Sequence, residues 1–241
     1  MKKKTLYILL SAITLMLVGT AIFFFSFFTQ STSSTPVLYT TKTKIQHIEI
    51  DLEHTNLTIC PSEKTYIEIR GYHERNYFVS EKDGKLLLTD KHEKSPIPFK
   101  LSGIGQWLQE SRQTSEKKQI ILHLSQEHSE ISTNLILKNS TLTLSTAINY
   151  LTLNAENSSI TVNYVTFDRF NGKLTDCDSK FFIPYTANEF SRNIETHHTK
   201  LSLNGDERAN AEQFTADFQK PFFALEAFGG SCHLEYSKET P

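Results

Sequence analysis

From Ile45 onward the dominant period of the apolar residues is two, and that period dictates strands. In the run IQHIEIDL, Ile48, Ile50 and Leu52 fall on one face with polar residues between them. The alternation returns in TYIEIRGY (65–72), GKLLLTD (84–90), KQIILHL (118–124), NLILKNSTLTL (134–144) and NYLTLNAENSSITV (149–162). It continues through RFNGKLTDCDSKFFI (169–183), NIETHHTKLSL (193–203), QFTADFQKPFFAL (213–225) and LEAFGGSCHLEY (225–236). Successive side chains of a strand point to opposite faces, so short alternating runs bounded by Asn, Ser, Asp and Gly describe strands with one buried face. Beyond residue 30 almost no segment sustains a helical period.

The strands also recur in units. Leu142/Leu144, Ile160/Val162, Phe181/Ile183 and Leu201/Leu203 each close a unit, at offsets of 18, 21 and 20 residues. Polar turns such as Lys138-Asn139-Ser140, Glu156-Asn157-Ser158 and Asp176-Cys177-Asp178 divide each unit in two. Strand, turn, strand at about 20 residues per unit predicts an all-β fold, a β-solenoid-like stack of short strands. Each rung of such a stack buries its inward residues on the rung before. An antiparallel β-sandwich of regular hairpins alternates equally well and stays open as the alternative.

The N-terminus has a different character. Thr5 to Phe28 is a run of 24 residues without charge, preceded by Lys2, Lys3 and Lys4 and followed by the neutral QSTSSTP. As a helix it would extend about 36 Å, enough to cross a hydrocarbon core of about 30 Å. It is too long for a signal-peptide core and lacks a small-residue cleavage site. The lysines predict a cytoplasmic tail at residues 1–4, and residues 5–28 then form a transmembrane signal anchor in the cell membrane. Residues 29–44 read as a linker, and residues 45–241 as a single extracytoplasmic domain. Outside residues 1–28 the chain carries 22 basic and 27 acidic side chains, a net charge of −5. That balance argues against nucleic acid as a partner.

An anchor followed by imperfect repeats such as IEIDLEHTNLTI, LTLNAENSSITV and THHTKLSLNG resembles the bacterial membrane-anchored β-strand-repeat domains labelled "putative adhesin". The likeness covers roughly residues 45–236. The resemblance implies an envelope-associated β-repeat domain and supplies no catalytic residues. Some members are encoded near cell-envelope stress regulators, which implies, as an alternative, an accessory role in a membrane signalling system.

One insertion, residues 92–117, interrupts the strand period. Pro96 and Pro98 mark a loop, and Ile104, Trp107 and Leu108 fall at i, i+3 and i+4, on one face of a short helical turn. This face either caps an open end of the stack or binds a partner. Trp107 is the only tryptophan in the chain.

Chemistry-bearing motifs are sparse. No Gly-x-Ser-x-Gly elbow, phosphate loop or His-Glu-x-x-His zinc motif is present. His197-His198 and Cys232-His233 are adjacent pairs, and strand neighbours point apart, so neither is expected to chelate one ion. Asp176 and Asp178 share a face, as catalytic carboxylates of a glycan-active enzyme would, but read more simply as a turn. Cys60, Cys177 and Cys232 are expected to pack as small apolar residues. The expectation is a non-enzymatic interaction module without cofactor or metal, meeting the membrane through Thr5–Phe28 and an envelope protein or wall polymer through its strands.

Overall fold

Strands that bury one face still need partners for both edges, since an unpaired backbone N–H or C=O is costly once shielded from water. The computed structural model shows how this chain meets that demand. It describes residues 36–70, 77–90, 118–125, 130–208, 211–214 and 220–237, together with Thr14 and Met16. Most of the Thr5–Phe28 run, and all of Ile104, Trp107 and Leu108, lie outside the described residues. No helix among the described residues is long and apolar enough to cross a membrane.

The strands, in chain order, are β1 (Val37–Thr40), β2 (His47–Glu53), β3 (Asn56–Ser62), β4 (Tyr66–Arg70), β5 (Tyr77–Lys82) and β6 (Lys85–Asp90). They continue with β7 (Gln119–Ser125), β8 (Ser132–Lys138), β9 (Thr141–Leu144), β10 (Tyr150–Glu156), β11 (Ser159–Asn163) and β12 (Arg169–Thr186). The last are β13 (Ser191–His197), β14 (Lys200–Leu203), β15 (Asp206–Arg208), β16 (Ala211–Phe214) and β17 (Phe222–Ser237). β1 falls inside the segment read as linker, where it pairs with β4.

Two ladders of mostly parallel strands result. The first runs β6, β2, β8, β10, β12, β17, β13, and the second β7, β3, β9, β11, β12, β17, β14. Each rung thus gives one strand, or half of a long strand, to each ladder. β12 and β17 pass unbroken through the corner and belong to both. A sandwich of hairpins would instead pair its neighbours antiparallel. Here antiparallel pairing is confined to the ends: β5, β4 and β1 at one, β15 and β16 at the other. The ladders keep free edges, so this is not a closed barrel.

The inward rows of both ladders fill one core. Ile50, Leu135, Leu153 and Leu225 are buried from the first ladder, and Ile59, Leu144, Val162 and Leu234 from the second. Phe170 and Phe223 stack at 4.6 Å, and Phe181 from the opposite ladder meets both edge-on at 5.4 and 5.3 Å. Gly172 makes room for them: a Cβ there would lie 2.8 Å from the Phe170 ring and from Leu225. Toward the far end the inward row turns polar at Arg192. Its guanidinium lies 5.4 Å from the Phe190 ring and 5.1 Å from that of Tyr236.

Register corrects the unit spacing read from the sequence. Leu142 pairs with Ile160, at the expected offset of 18. Val162, however, pairs with Phe181, which places Ser179 and Phe181, rather than Phe181 and Ile183, on the inward positions aligned with Ile160 and Val162. Ser179 is 1% exposed and donates its hydroxyl to the Ser231 carbonyl at 3.2 Å. An apolar search passes over that serine. Leu201 is not beside Ser179 either, because β17 lies between them.

The corners explain the polar turns. His54, Asn139, Asn157, Asp176 and His198 all have left-handed φ between 47° and 57°, and Gly229 has 70°. Short polar side chains and glycine tolerate that conformation best. The next residue points inward. Ser158 Oγ donates to the Glu156 carbonyl at 2.7 Å and accepts the Ser140 amide at 3.0 Å. Ser140 Oγ repeats this with the Lys138 carbonyl at 2.7 Å and the Thr55 amide at 3.1 Å. Cys177 and Thr199 occupy the same place and turn back to Thr175 and His197.

Candidate functional site

With the inner faces consumed by the core, the side chains open to solvent lie on the outer faces. On the first ladder the outward positions align across rungs. Asn134, Thr152, Asn171, Ala224 and Asn193 form one row. Beside it run Ile136, Asn154, Lys173, Glu226 and Glu195, and on the other flank Ser132, Tyr150, Arg169 and Phe222, a row that ends in the buried Ser191. Neighbouring strands lie about 4.8 Å apart, so the central row sets the side chains of Thr152, Asn171 and Asn193 in line, while the Asn134 side-chain oxygen is buried.

Charge on this face is largely paired within it. Lys138 meets Glu156 at 3.4 Å and Lys173 meets Glu226 at 3.5 Å. Two of the aromatics are partly covered: Arg169 sits 5.9 Å from the Phe222 ring, and Phe228 lies between Lys173 at 5.5 Å and the stacked ring of His197 at 4.7 Å. Tyr150 stands open, 52% exposed, and Ile136 is 39% exposed. Around Ile136 a shallow depression of about 350 Å³ is walled by Asp51, Glu53, Asp90, Lys138, Asn154, Glu156 and Lys173. Such a surface can hydrogen-bond a polar chain and stack on a flat apolar one. Its side chains contain no nucleophile paired with a base.

The second ladder's outer face is hydroxyl-rich. Thr58, Thr143 and Thr161 form one row and Asn56, Thr141 and Ser159 the next. The sequence showed these residues as polar spacers but could not show that they align.

The other residues singled out by sequence separate as follows. His198 sits at a left-handed corner, and His197 bonds Glu195 at 3.1 Å on the outer face. Asp176 is itself a corner residue, and Asp178 accepts the Ser231 hydroxyl at 2.7 Å. Cys232 is buried inward while His233 bonds Glu235 at 2.8 Å outside. Among the described residues no group of three or more His, Cys, Asp or Glu is arranged to hold a metal. Cys177 and Cys232 pack inside as expected. Cys60 does not: it lies on the outer face of β3, only half-buried.

No family model matches the chain. No curated protein matches it either. Among solved structures, it is similar to a "putative cell adhesion protein" from Clostridium sporogenes at 13% identity, covering 84% of this chain and 99% of that one, with a TM-score of 0.48. A "putative adhesin" from Bacteroides fragilis matches at 10% identity over 85% of this chain and 98% of that one, with a TM-score of 0.32. A "putative lipid binding protein" from Parabacteroides distasonis matches at 10% identity over 86% and 98%, with a TM-score of 0.38.

Proposed function

We propose that this chain is a membrane-anchored, extracytoplasmic interaction module that binds an envelope protein or wall polymer by display rather than catalysis. The observation that carries this reading is the outer face of the first ladder. Asn134, Thr152, Asn171 and Asn193 stand there in register on a rigid stack, with Tyr150 open beside them. Each such contact is weak, but a repeating partner engages several rungs at once, and the effective concentration of the later contacts raises the total affinity. The anchor rests on the uncharged run Thr5–Phe28 behind Lys2, Lys3 and Lys4, which puts the solenoid-like domain outside.

A photo-crosslinking residue at position 150, in the full chain in native membranes, tests the binding face. The expected product is a discrete adduct with a wall or envelope component. It should disappear when Asn134, Thr152 and Asn171 are all replaced by glutamate. No adduct, or one that survives the triple replacement, sinks the reading. The same probe at position 107 reports whether the insertion shares the partner. Alkaline carbonate extraction tests the anchor: release of the full chain from membranes overturns it.

A further inference from the structure

Three strands bring a thiol, an imidazole and a carboxylate together on the second ladder's outer face, away from the binding face. Cys60 on β3 pairs in register with His123 on β7, and Tyr66 and Glu68 on β4 flank the imidazole. Cys60 Sγ lies 3.4 Å from His123 Nδ1. The Tyr66 ring stacks flat on the imidazole, centroids 4.0 Å apart and planes within 9°. Glu68 Oε2 approaches His123 Nε2 to 4.0 Å, and Glu68 Oε1 accepts Arg70 Nε at 2.7 Å. His123 Nε2 is shielded from solvent and makes no hydrogen bond. If the thiol donates to Nδ1, the ring proton belongs on Nε2, on the side facing Glu68. The imidazole is therefore held in one orientation by the Tyr66 ring, with its lone pair toward sulfur and its far side turned to the Glu68 carboxylate.

We propose that Cys60, with His123 as its base, is a thiol–disulfide exchange site that takes up a low-molecular-weight disulfide as a stable mixed disulfide. As Sγ attacks one sulfur of the disulfide, the thiol proton moves to His123 Nδ1. The S–S bond of the small molecule breaks as the Sγ–S bond forms. The departing thiolate then recovers the proton from Nδ1 and leaves as a free thiol. Cys60 is oxidised to the disulfide level and half of the small molecule is reduced, so no other oxidant enters. Burial raises the Cys60 thiol above its ordinary value. It therefore rests as the neutral thiol, and a base at Nδ1 is what permits attack near neutral pH.

The adduct has no intramolecular exit. Cys177 and Cys232 point into the core. β3 is separated from β12 by β9 and β11, about 14 Å at the usual strand spacing, well beyond the 7 Å limit for Cα atoms in a disulfide. With no resolving thiol in reach, the site captures and does not cycle. The half-buried position of Cys60 favours a thin, small disulfide over one held in a folded protein.

The test is incubation of the full chain in detergent with cystamine, followed by intact and peptide mass measurement over time. One adduct per chain is expected, at Cys60 and reversed by dithiothreitol. His123→Gln should slow its formation about tenfold or more. Glu68→Gln, which spares both reacting groups, should slow it severalfold at an unchanged melting temperature. It decides the matter if His123→Gln fails to fold. The proposal is overturned if Cys177 or Cys232 is modified first, or if the folded variants react as fast as the parent.

Discussion

At the residue scale the corners carry most of the specificity. Ser158 joins two rungs through one hydroxyl, and its removal leaves the Ser140 amide buried without an acceptor. Ser158→Ala should lower the unfolding free energy by about 1–3 kcal/mol, measured by urea denaturation. Ser158→Thr should restore most of it, since Thr55 and Thr199 fill equivalent corners. Glu81 acts at the other end of the chain. Its carboxylate accepts the amides of Lys42 and Thr43 at 3.0 and 2.6 Å, the Thr43 hydroxyl, and the Tyr39 hydroxyl at 3.3 Å. Burial alone would raise this carboxyl, but those hydrogen bonds outweigh it and hold it below the ordinary glutamate value. A depressed folded-state value means its stabilisation is present above the unfolded value of about 4.3 and is lost as the pH falls through the folded one. Glu81→Gln should therefore lower the melting temperature at pH 7, by an amount that shrinks as the pH falls below about 4.3. A loss that stays constant as the pH is lowered would exclude the carboxylate as the cause. Asn139 and Asn157 were legible in the sequence as turn residues, since their side chains suit left-handed backbone. His54 was not, because histidine marks no turn by itself and only the φ it shares with the other corners reveals it.

At the level of elements, the two glycines in mid-β17 let one strand serve both ladders. Gly230 has φ 70°, and a Cβ there would fall 2.1 Å from the Cys177 carbonyl oxygen, which is backbone and cannot swing aside. Gly230→Ala should cost more than about 4 kcal/mol, because the β12–β17 pairing must open to admit it. Gly205→Ala is the control. Its φ of 88° is similarly strained, but no atom lies within 4 Å, so only the conformational cost of about 1–2 kcal/mol should appear in denaturant titration. The individual strands were legible because a period of two is a direct record of which side chains face the core. Their partners were not. Period reports a face and says nothing about which strand lies alongside, so alignment by apolar pairs slipped by two residues at Ser179. The Cys60–His123 contact was hidden for the same reason, its members lying 63 positions apart.

For the molecule as a whole, spatial order departs from chain order at both ends. β2 and β3 are flanked on the outside by β6 and β7, and β17 lies between β12 and β13 with their continuations. A chain ending at residue 221 therefore lacks an internal rung, not a terminal one. It should aggregate or elute as oligomers in size exclusion, because two parallel edges in each ladder lose their mate. A monomeric, protease-resistant 1–221 chain would show that β12 and β13 can join directly. Synthesis runs from the N-terminus, so β13 and β14 emerge from the ribosome before the strand that joins them to the rest. They must wait until β17 is made, because that later strand joins them to the rest. A nascent chain released before β17 is therefore left with strands that have no mate, so the architecture holds its earlier strands open until a later one arrives.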